Sequence, residues 1–417
     1  MLAHVLATAR AAGADKLALV IAPGMEAVRA EAVKAAPGIE LFEQATQGGT
    51  AHAVLAVRGA LEQHLGDVIV LFADHPLTEA ATLRRMIATL DAGANIAVLG
   101  FRPADPSGYG RLVLDGGGRV SAIREHNDAS EEERRIGLCN SGAIAFRVPK
   151  LAELVARVGN SNIKGEFYLT DAVALAAGDG LAAMPVECEP DEAMGVNSRE
   201  QLAAAEAAFQ ARARRRVMEA GATLVAPETV WLSFDTVLGR DVTIEPNVFF
   251  GPGVTVEDGA HIMANCHIVG ARIGRGARVG PFARFRPGAD IGDSARVGNF
   301  VEVKNARLET GAKANHLSYI GDGRVGEGAN IGAGTIFCNY DGFNKHFTDV
   351  GKGAFVGSNS SLVAPVKIGD GAYIGSGSVI SKDVAPDALA LERSTQEQRP
   401  GWAAKFRSLM GKRKKSA

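Results

Sequence analysis

From Ile244 to Ile380 a large apolar residue returns at every sixth position, and this spacing leaves few folds open to the chain. The series runs Ile244, Phe250, Val256, Ile262, Ile268. It skips one residue and resumes at Ile273, Val279, Phe285, Ile291, Val297, Val303, then Leu308, Ala314, Ile320, then Val325, Ile331, Phe337. After an interruption it closes with Val350, Val356, Leu362, Ile368, Ile374, Ile380. A helix repeats its apolar face at about 3.6 residues and a half-buried strand at about 2, so neither fits. A period of six suits a parallel β-helix, where each hexapeptide is one flat face of a triangular coil and the apolar residue fills the interior. A small or β-branched residue sits four places later (Ala354, Ser360, Val366, Ala372, Ser378, Val384), and glycine commonly follows the apolar residue, easing tight corners. An antiparallel sandwich would instead alternate by two between irregular turns.

Three hexapeptides close a coil, so residues three rungs apart share a face at roughly the 4.8 Å strand spacing. Phe285, Val303, Ile320 and Phe337 fall on a first face; Ile291, Leu308, Val325 and Val350 on a second. Val297, Ala314, Ile331, Val356 and Ile374 fall on a third. Beside the first face, Arg286 and Lys304 stack above Gly321. Like charges one strand apart repel unless an anion sits between them. Beside the third face run Asn299, His316, Ala333, Ser358 and Ser376, a histidine above small residues, shaped as a groove for something long and thin. Tyr319 and Asn330 are expected at the corner between the two columns, with the interruption Cys338–His346 as a loop alongside. Histidine titrates near neutrality, which suits it to take the proton an amine loses before attacking a thioester.

The rest of the chain reads differently. Residues 1–196 alternate helical segments (Met1–Ala14, Thr50–His64, Glu79–Leu90, Tyr168–Ala177) with apolar runs (Leu17–Ala22, Val68–Ala73) and a hairpin near Asp115–Gly118. Continuous apolar runs predict strands buried on both faces of a mostly parallel α/β sheet. Residues 197–225 hold a connecting linker helix, 226–393 the β-helix and 394–417 a tail whose basic run Lys412–Lys415 reads as a solvated end. A net charge of −2 gives no general attraction to nucleic acid or an anionic membrane. Four dispersed cysteines argue against a disulfide framework, and no signal peptide or membrane span is legible, so the expectation is a cytoplasmic protein.

Four segments carry a family resemblance: Gly280-Pro-Phe-Ala-Arg-Phe-Arg-Pro-Gly288, Val297-Gly-Asn-Phe-Val-Glu-Val-Lys304, Asn315-His-Leu-Ser-Tyr-Ile-Gly-Asp322 and Asn330-Ile-Gly-Ala-Gly-Thr-Ile-Phe-Cys-Asn-Tyr-Asp341. With them the chain resembles the bifunctional glucosamine-1-phosphate N-acetyltransferase/N-acetylglucosamine-1-phosphate uridyltransferase (GlmU) family over nearly its whole length. The resemblance implies a Rossmann-like α/β nucleotidyltransferase domain followed by a left-handed β-helix in a homotrimer, with acetyl-CoA and Mg2+ as co-substrate and cofactor. It implies His316 as the base, with Arg286, Lys304, Tyr319 and Asn330 binding the sugar phosphate. Ala333, Asn339, Tyr340, Ser358, Ser376 and Arg393 would serve acetyl-CoA, Asn339 and Tyr340 at its acetyl end. Gln44-Ala-Thr-Gln-Gly-Gly-Thr-Ala-His-Ala53 resembles the uracil-binding segment, implicating Gln44, Gly49 and Thr50. Gly110, Glu125, Asn140 and Asn197 match sugar-nucleotide positions, and Asp74 with Asn197 matches a magnesium site.

Two departures stand out. Ala73 replaces a family glycine close to the expected nucleotide. The α/β part opens on a helix, without the first strand and Gly-rich triphosphate loop of the family, so an impaired uridyltransferase step is expected. Rival readings are a nucleotidyltransferase whose β-helix only oligomerises, a hexapeptide metalloenzyme needing clustered histidines, and a non-catalytic remnant.

Overall fold

The computed structural model describes residues 1–64, 66–147 and 151–413, with only the backbone at Lys412 and Arg413. Two compact units emerge, Met1–Phe209 and Gln210–Ala417.

In the second unit every residue of the six-residue series is at most 5% exposed. Its strands, from Thr223–Leu224 to Leu389–Ala390, pair in parallel with the strand one coil away. The three-face map holds throughout. Phe285 pairs with Val303, Leu308 with Val325, and Val297 with Ala314. Val325 pairs with Val350 and Phe337 with Leu362, so the loop after Cys338 leaves the face order intact. Among the described residues ten strands make up the third face; Glu302–Leu308 and Tyr319–Val325 are long enough to run from the first face round to the second.

Two glycine positions do different work. A glycine directly after the interior residue, as at Gly332 and Gly357, is needed because its Cβ would lie 2.5–2.7 Å from backbone atoms of the next coil. The corner is a separate position, where the chain turns through a left-handed residue. In six-residue rungs that residue comes three places after the interior one (Gly253, Gly276, Gly311, Ser294). In the five-residue rungs it comes two places after, at Gly270, Asn305 and Asp322. The skips in the series are therefore tightened corners. Phe282, Phe300 and Leu317 also occupy such corners, at φ 57°, 55° and 50°, where a bulky side chain costs about 1–2 kcal/mol each.

The first unit contains α1 (Leu2–Ala12), β1 (Ala18–Ile21), α2 (Glu26–Ala35), β2 (Glu40–Glu43), α3 (Thr50–Ala56), α4 (Arg58–Gln63) and β3 (Val68–Val70). There follow α5 (Ala80–Asp91), β4 (Ile96–Phe101), β5 (Arg111–Leu114), β6 (Val120–Arg124), β7 (Cys139–Phe146), α6 (Leu151–Ala156), α7 (Asp171–Gly178) and β8 (Ala183–Cys188). The core lies where α3, α6 and α7 cover β4 and β7, around Val98, Leu112, Ile144 and Phe146.

The sheet corrects the expectation of mostly parallel, doubly buried strands. Among the described residues β4 and β8 run parallel, but β7 pairs antiparallel with β3, β4 and β5, and β5 with β6. The β5–β6 hairpin forces this locally: Asp115 Oδ1 accepts the Gly117 and Arg119 amides and closes the turn. Among the described residues β1 pairs only with β2, and β3 only with β7, which leaves both runs half-buried.

The long helix α8 (Arg199–Glu219) is packed as well as connecting. Ala205 joins Leu77 and Val196 in the first unit. In the second, Gln210 exchanges two side-chain hydrogen bonds with the backbone of Leu232 (2.7 and 2.9 Å). The tail contains α9 (Trp402–Arg413); Lys414 and Lys415 of the basic run lie outside the described residues.

If coil spacing is set by backbone contact, Gly332→Ala should lower thermal stability although it adds one methyl group. Phe285→Ala should cost about 3–5 kcal/mol by leaving a cavity. Chemical denaturation followed by circular dichroism measures both, and a neutral Gly332→Ala would disprove the contact argument.

Candidate active site

His316 stands directly beneath Asn299 on the third face. Its Nδ1 is 2.7 Å from Asn299 Oδ1. A carbonyl oxygen only accepts, so this bond places the proton on Nδ1 and leaves Nε2 as the ring's free acceptor. The Ser318 hydroxyl donates to the His316 carbonyl (2.9 Å), fixing the backbone beneath the ring. Strand pairing carries the column on through Ala333, Ser358 and Ser376. From His316 to Ser376 is three strand steps, roughly 14 Å. Arg393 Nη1 donates to the Ser376 carbonyl (3.0 Å), closing the far end.

The Arg286–Lys304 column is present but not bare. Arg286 is 3.1 Å from Glu302, which also faces Arg284 at 3.5 Å. Lys304 is 3.4 Å from Asp322. The expectation that an anion alone could relieve this pair is thereby corrected, because two acids beside the column, Glu302 and Asp322, already do so. Asp322 also accepts from Asn305 (2.7 Å) and from Asn339. Burial pushes its carboxyl up, but these amides and the Lys304 charge outweigh it and hold the group below its ordinary range.

The loop after Cys338 is organised by Asp341, which accepts the Phe343 and Asn344 amides and pairs with His346 at 2.6 Å. Those contacts turn Asn339 inward onto Asp322 and leave Tyr340 exposed, with Lys345 Nζ 4.0 Å from its ring centre. Tyr319 lies across Gly321, where any Cβ would collide with its hydroxyl. Asn330 departs from the expected corner. It pairs with Lys313 and Phe355 at the opposite edge of the third face. Register counting puts Asn299 at the head of this column, without a role; Glu302 and Asp322 lie outside both columns, and neither is among the residues expected at the site.

In the first unit two groups come together. Gln44 Nε2 donates to the Gly49 carbonyl (3.1 Å), and Thr50 Oγ1 accepts the Leu169 amide (2.8 Å). Gly49 has φ 110° and its Cβ would lie 2.6 Å from the Phe167 carbonyl oxygen, so both conformation and proximity require glycine. Gly110 sits 3.5 Å, measured from an ideal Cβ, from both Glu125 Oε2 and Asn140 Cβ. Burial pushes the Glu125 carboxyl up, against a hydrogen bond from Thr170 (3.1 Å). Asp74 follows β3, and its carbonyl accepts the Val196 amide (3.0 Å), which brings Asn197 close. Ala73 is exposed beside them, and next to Asp74 stands the half-buried His75, whose imidazole is held below its ordinary range by desolvation.

Among the described residues no three His, Cys, Asp or Glu are placed to hold a metal. His261 pairs with Glu245 (2.8 Å) and His267 stacks on Phe249, so the clustered histidines of the metalloenzyme reading are not formed.

The MobA-like NTP transferase domain family matches residues 1–140, and the bacterial transferase hexapeptide (six repeats) family matches 235–270, 270–305 and 347–382. The bifunctional protein GlmU of Azorhizobium caulinodans is 58% identical over 414 residues, 99% of this chain and 92% of that one. Its namesake in Xanthobacter autotrophicus is 56% identical at the same coverage. A third, from a Bradyrhizobium species, is 55% identical over 98% of this chain and 91% of its own. A solved UDP-glucose pyrophosphorylase complexed with UDP-glucose is 17% identical with a TM-score of 0.41, over 50% of this chain and 86% of that one, too remote a likeness to carry an argument. These matches do not bear out the expected impairment of the uridyltransferase step. The transferase family matches the α/β part, and relatives aligned over nearly the whole chain are named bifunctional.

Asp322 also sets a pH expectation. Its folded pKa lies below its unfolded value, so its contribution is present above the ordinary carboxylate range and lost as pH falls through the depressed value. Melting temperatures of Asp322→Asn should therefore lie beneath the wild type at neutrality and begin to close on it only once the pH falls below the ordinary carboxylate range. An unchanged gap across that range would remove Asp322 as the organising acid.

Proposed function

The chain belongs to the family of bifunctional GlmU proteins, and on that premise we propose that it performs two successive transfers. Acetyl moves from acetyl-CoA to the amine of glucosamine 1-phosphate, giving N-acetylglucosamine 1-phosphate and coenzyme A. Uridylyl then moves from UTP to that product, giving UDP-N-acetylglucosamine and diphosphate.

The observation that carries the first transfer is the line from His316 to Ser376, with Nε2 of His316 free at its head. In this reading the sugar amine lies against Nε2, which takes its proton as nitrogen attacks the thioester carbonyl. The departing thiolate then recovers that proton from the imidazolium, and Asn299 holds the ring in one tautomer throughout. Arg286 keeps donors beyond the one bonded to Glu302, and Lys304 is held loosely by Asp322, so both can meet the sugar phosphate. Tyr319, Asn330, Asn339 and Tyr340 contact the sugar and acetyl ends. The pantetheine arm runs past Ala333, Ser358 and Ser376 towards Arg393.

For the second transfer, Gln44, Gly49 and Thr50 hold the uracil, and Gly110, Glu125, Asn140 and Asn197 the sugar nucleotide. Asp74 and Asn197 offer a carboxylate and an amide oxygen, a hard and sparse donor set. That fits Mg2+, which keeps several waters and shares phosphate oxygens. When bound there, magnesium supplies neutralisation of phosphate charge.

A trimer in the cytoplasm fits this reading. Phe282, Phe300 and Leu317 form an exposed apolar column at left-handed corners beside His316, the two phenyl rings stacked at 5.2 Å. Among the described residues no helix is long and apolar enough to cross a membrane.

His316→Ala should lower acetyl transfer by about 100- to 10,000-fold with assembly unchanged; near-normal turnover would sink the assignment. Asn299→Leu should lower kcat more than it raises KM and displace the pH–rate profile, since it removes orientation and not a substrate contact. Asp74→Asn should abolish magnesium-dependent uridylyl transfer while acetyl transfer continues. Loss of both activities together would instead indicate general misfolding.

A further inference from the structure

Stacked cations on this β-helix are usually neutralised. Arg272 lies between Glu257 (2.7 Å) and Asp290 (3.0 Å), and Arg307 meets Asp290 at 3.5 Å. Arg324 bonds Asp349 (2.6 Å), Arg286 bonds Glu302 and Lys304 bonds Asp322. One column breaks this rule. Arg278, Arg296 and Lys313 are successive strand partners on the outward side of the third face. All three are exposed, and among the described residues none lies within 4.0 Å of a carboxylate. Above them His261 is committed to Glu245; below them stands the neutral Asn330.

Glycine sharpens the feature. Gly280 and Gly298 occupy the next outward positions on the strands of Arg278 and Arg296. Neither position has room for a side chain: at Gly298 a Cβ would collide with the Asn315 carbonyl oxygen, and at Gly280 with the Cys266 sulfur. Arg278 and Arg296 therefore have no side chain at the next outward position of their strands, while Lys313 has Asn315 there.

We propose that Arg278, Arg296 and Lys313 form a binding strip for an anion carrying linked phosphate groups. Three like charges at roughly 4.8 Å intervals are unfavourable alone and become favourable once a multivalent anion bridges them. Linked phosphates bring their charges closer together than the cations are and present many acceptor oxygens to each guanidinium. An acidic peptide fits less well, since same-side carboxylates on an extended chain repeat at roughly 6.6 Å. None of the three residues is among those proposed for either transfer; Lys313 is the strand partner of Asn330, whereas Arg278 and Arg296 lie farther along the face, so Arg296→Gln tests the strip apart from the acetyl-transfer site.

The test is titration calorimetry of the full chain at low salt with inorganic tripolyphosphate, diphosphate and orthophosphate. Affinity should fall in that order. Arg296→Gln should weaken tripolyphosphate about fivefold or more, and the triple change Arg278→Gln, Arg296→Gln, Lys313→Gln by well over tenfold. Arg272→Gln, from a neutralised column, should have no effect. ATP in place of tripolyphosphate should show the same dependence, since the phosphates are what is recognised; dependence with ATP alone would overturn that chemistry. A triple variant that binds like the wild type, or an Arg272→Gln loss of equal size, would remove the strip. An oligoglutamate bound as tightly through the same residues would make an acidic segment the occupant and overturn the phosphate assignment.

Discussion

The parallel backbone ladder between successive coils is the constraint from which the second unit follows. It holds equivalent residues one strand step apart along the whole β-helix, so a choice made at one rung is felt by the rungs above and below. Interior positions must fill a narrow prism, which is why aliphatic and phenyl side chains recur there with almost no exposure. Where a glycine follows the interior residue, as at Gly332 and Gly357, it is dictated by contact with the neighbouring coil more than by a corner. Corners are a separate requirement met by left-handed residues, and shortening a rung by one residue moves that residue one place earlier.

The same ladder turns isolated charges into columns, and a column of one sign must be relieved. Glu302 and Asp322 relieve Arg286 and Lys304, and Asp290 relieves Arg272 and Arg307. These pairs are partly exposed and each contributes little to stability. Their value lies in orientation: Asp322 gathers Lys304 and Asn305 from the coil before it and Asn339 from the coil after it onto one carboxylate. His316 is held in the same fashion by the asparagine one coil above it. A repetitive scaffold thus places its chemistry by stacking, with no need of a specialised loop for each residue.

The first unit works by a different principle. Its sequence candidates are scattered from Gln44 to Asn197, and they meet through loops at strand ends. Gly48–Thr50 is stitched to Phe167–Leu169 by backbone and hydroxyl hydrogen bonds. Glu125 and Asn140 close on Gly110 because β5, β6 and β7 are adjacent in the sheet. Such convergence depends on strand order and direction, neither of which an apolar run encodes.

By itself the sequence determined the β-helix: the period of six, the order of faces and the column beneath His316 follow from counting, because each rung repeats the same local environment. It also determined the five-residue rungs, since a missing residue has nowhere to go but the corner. Only the tertiary structure decided which acids neutralise Arg286 and Lys304, because a side chain beside a column can lean to either neighbour. Tertiary structure likewise placed Asn330 at the far edge of its face and set the antiparallel course of β7. It buried one side of α8 as well. Periodicity records which residues face inward; which outward residues touch depends on side-chain direction and on segments distant in sequence, and those are fixed only when the chain is folded.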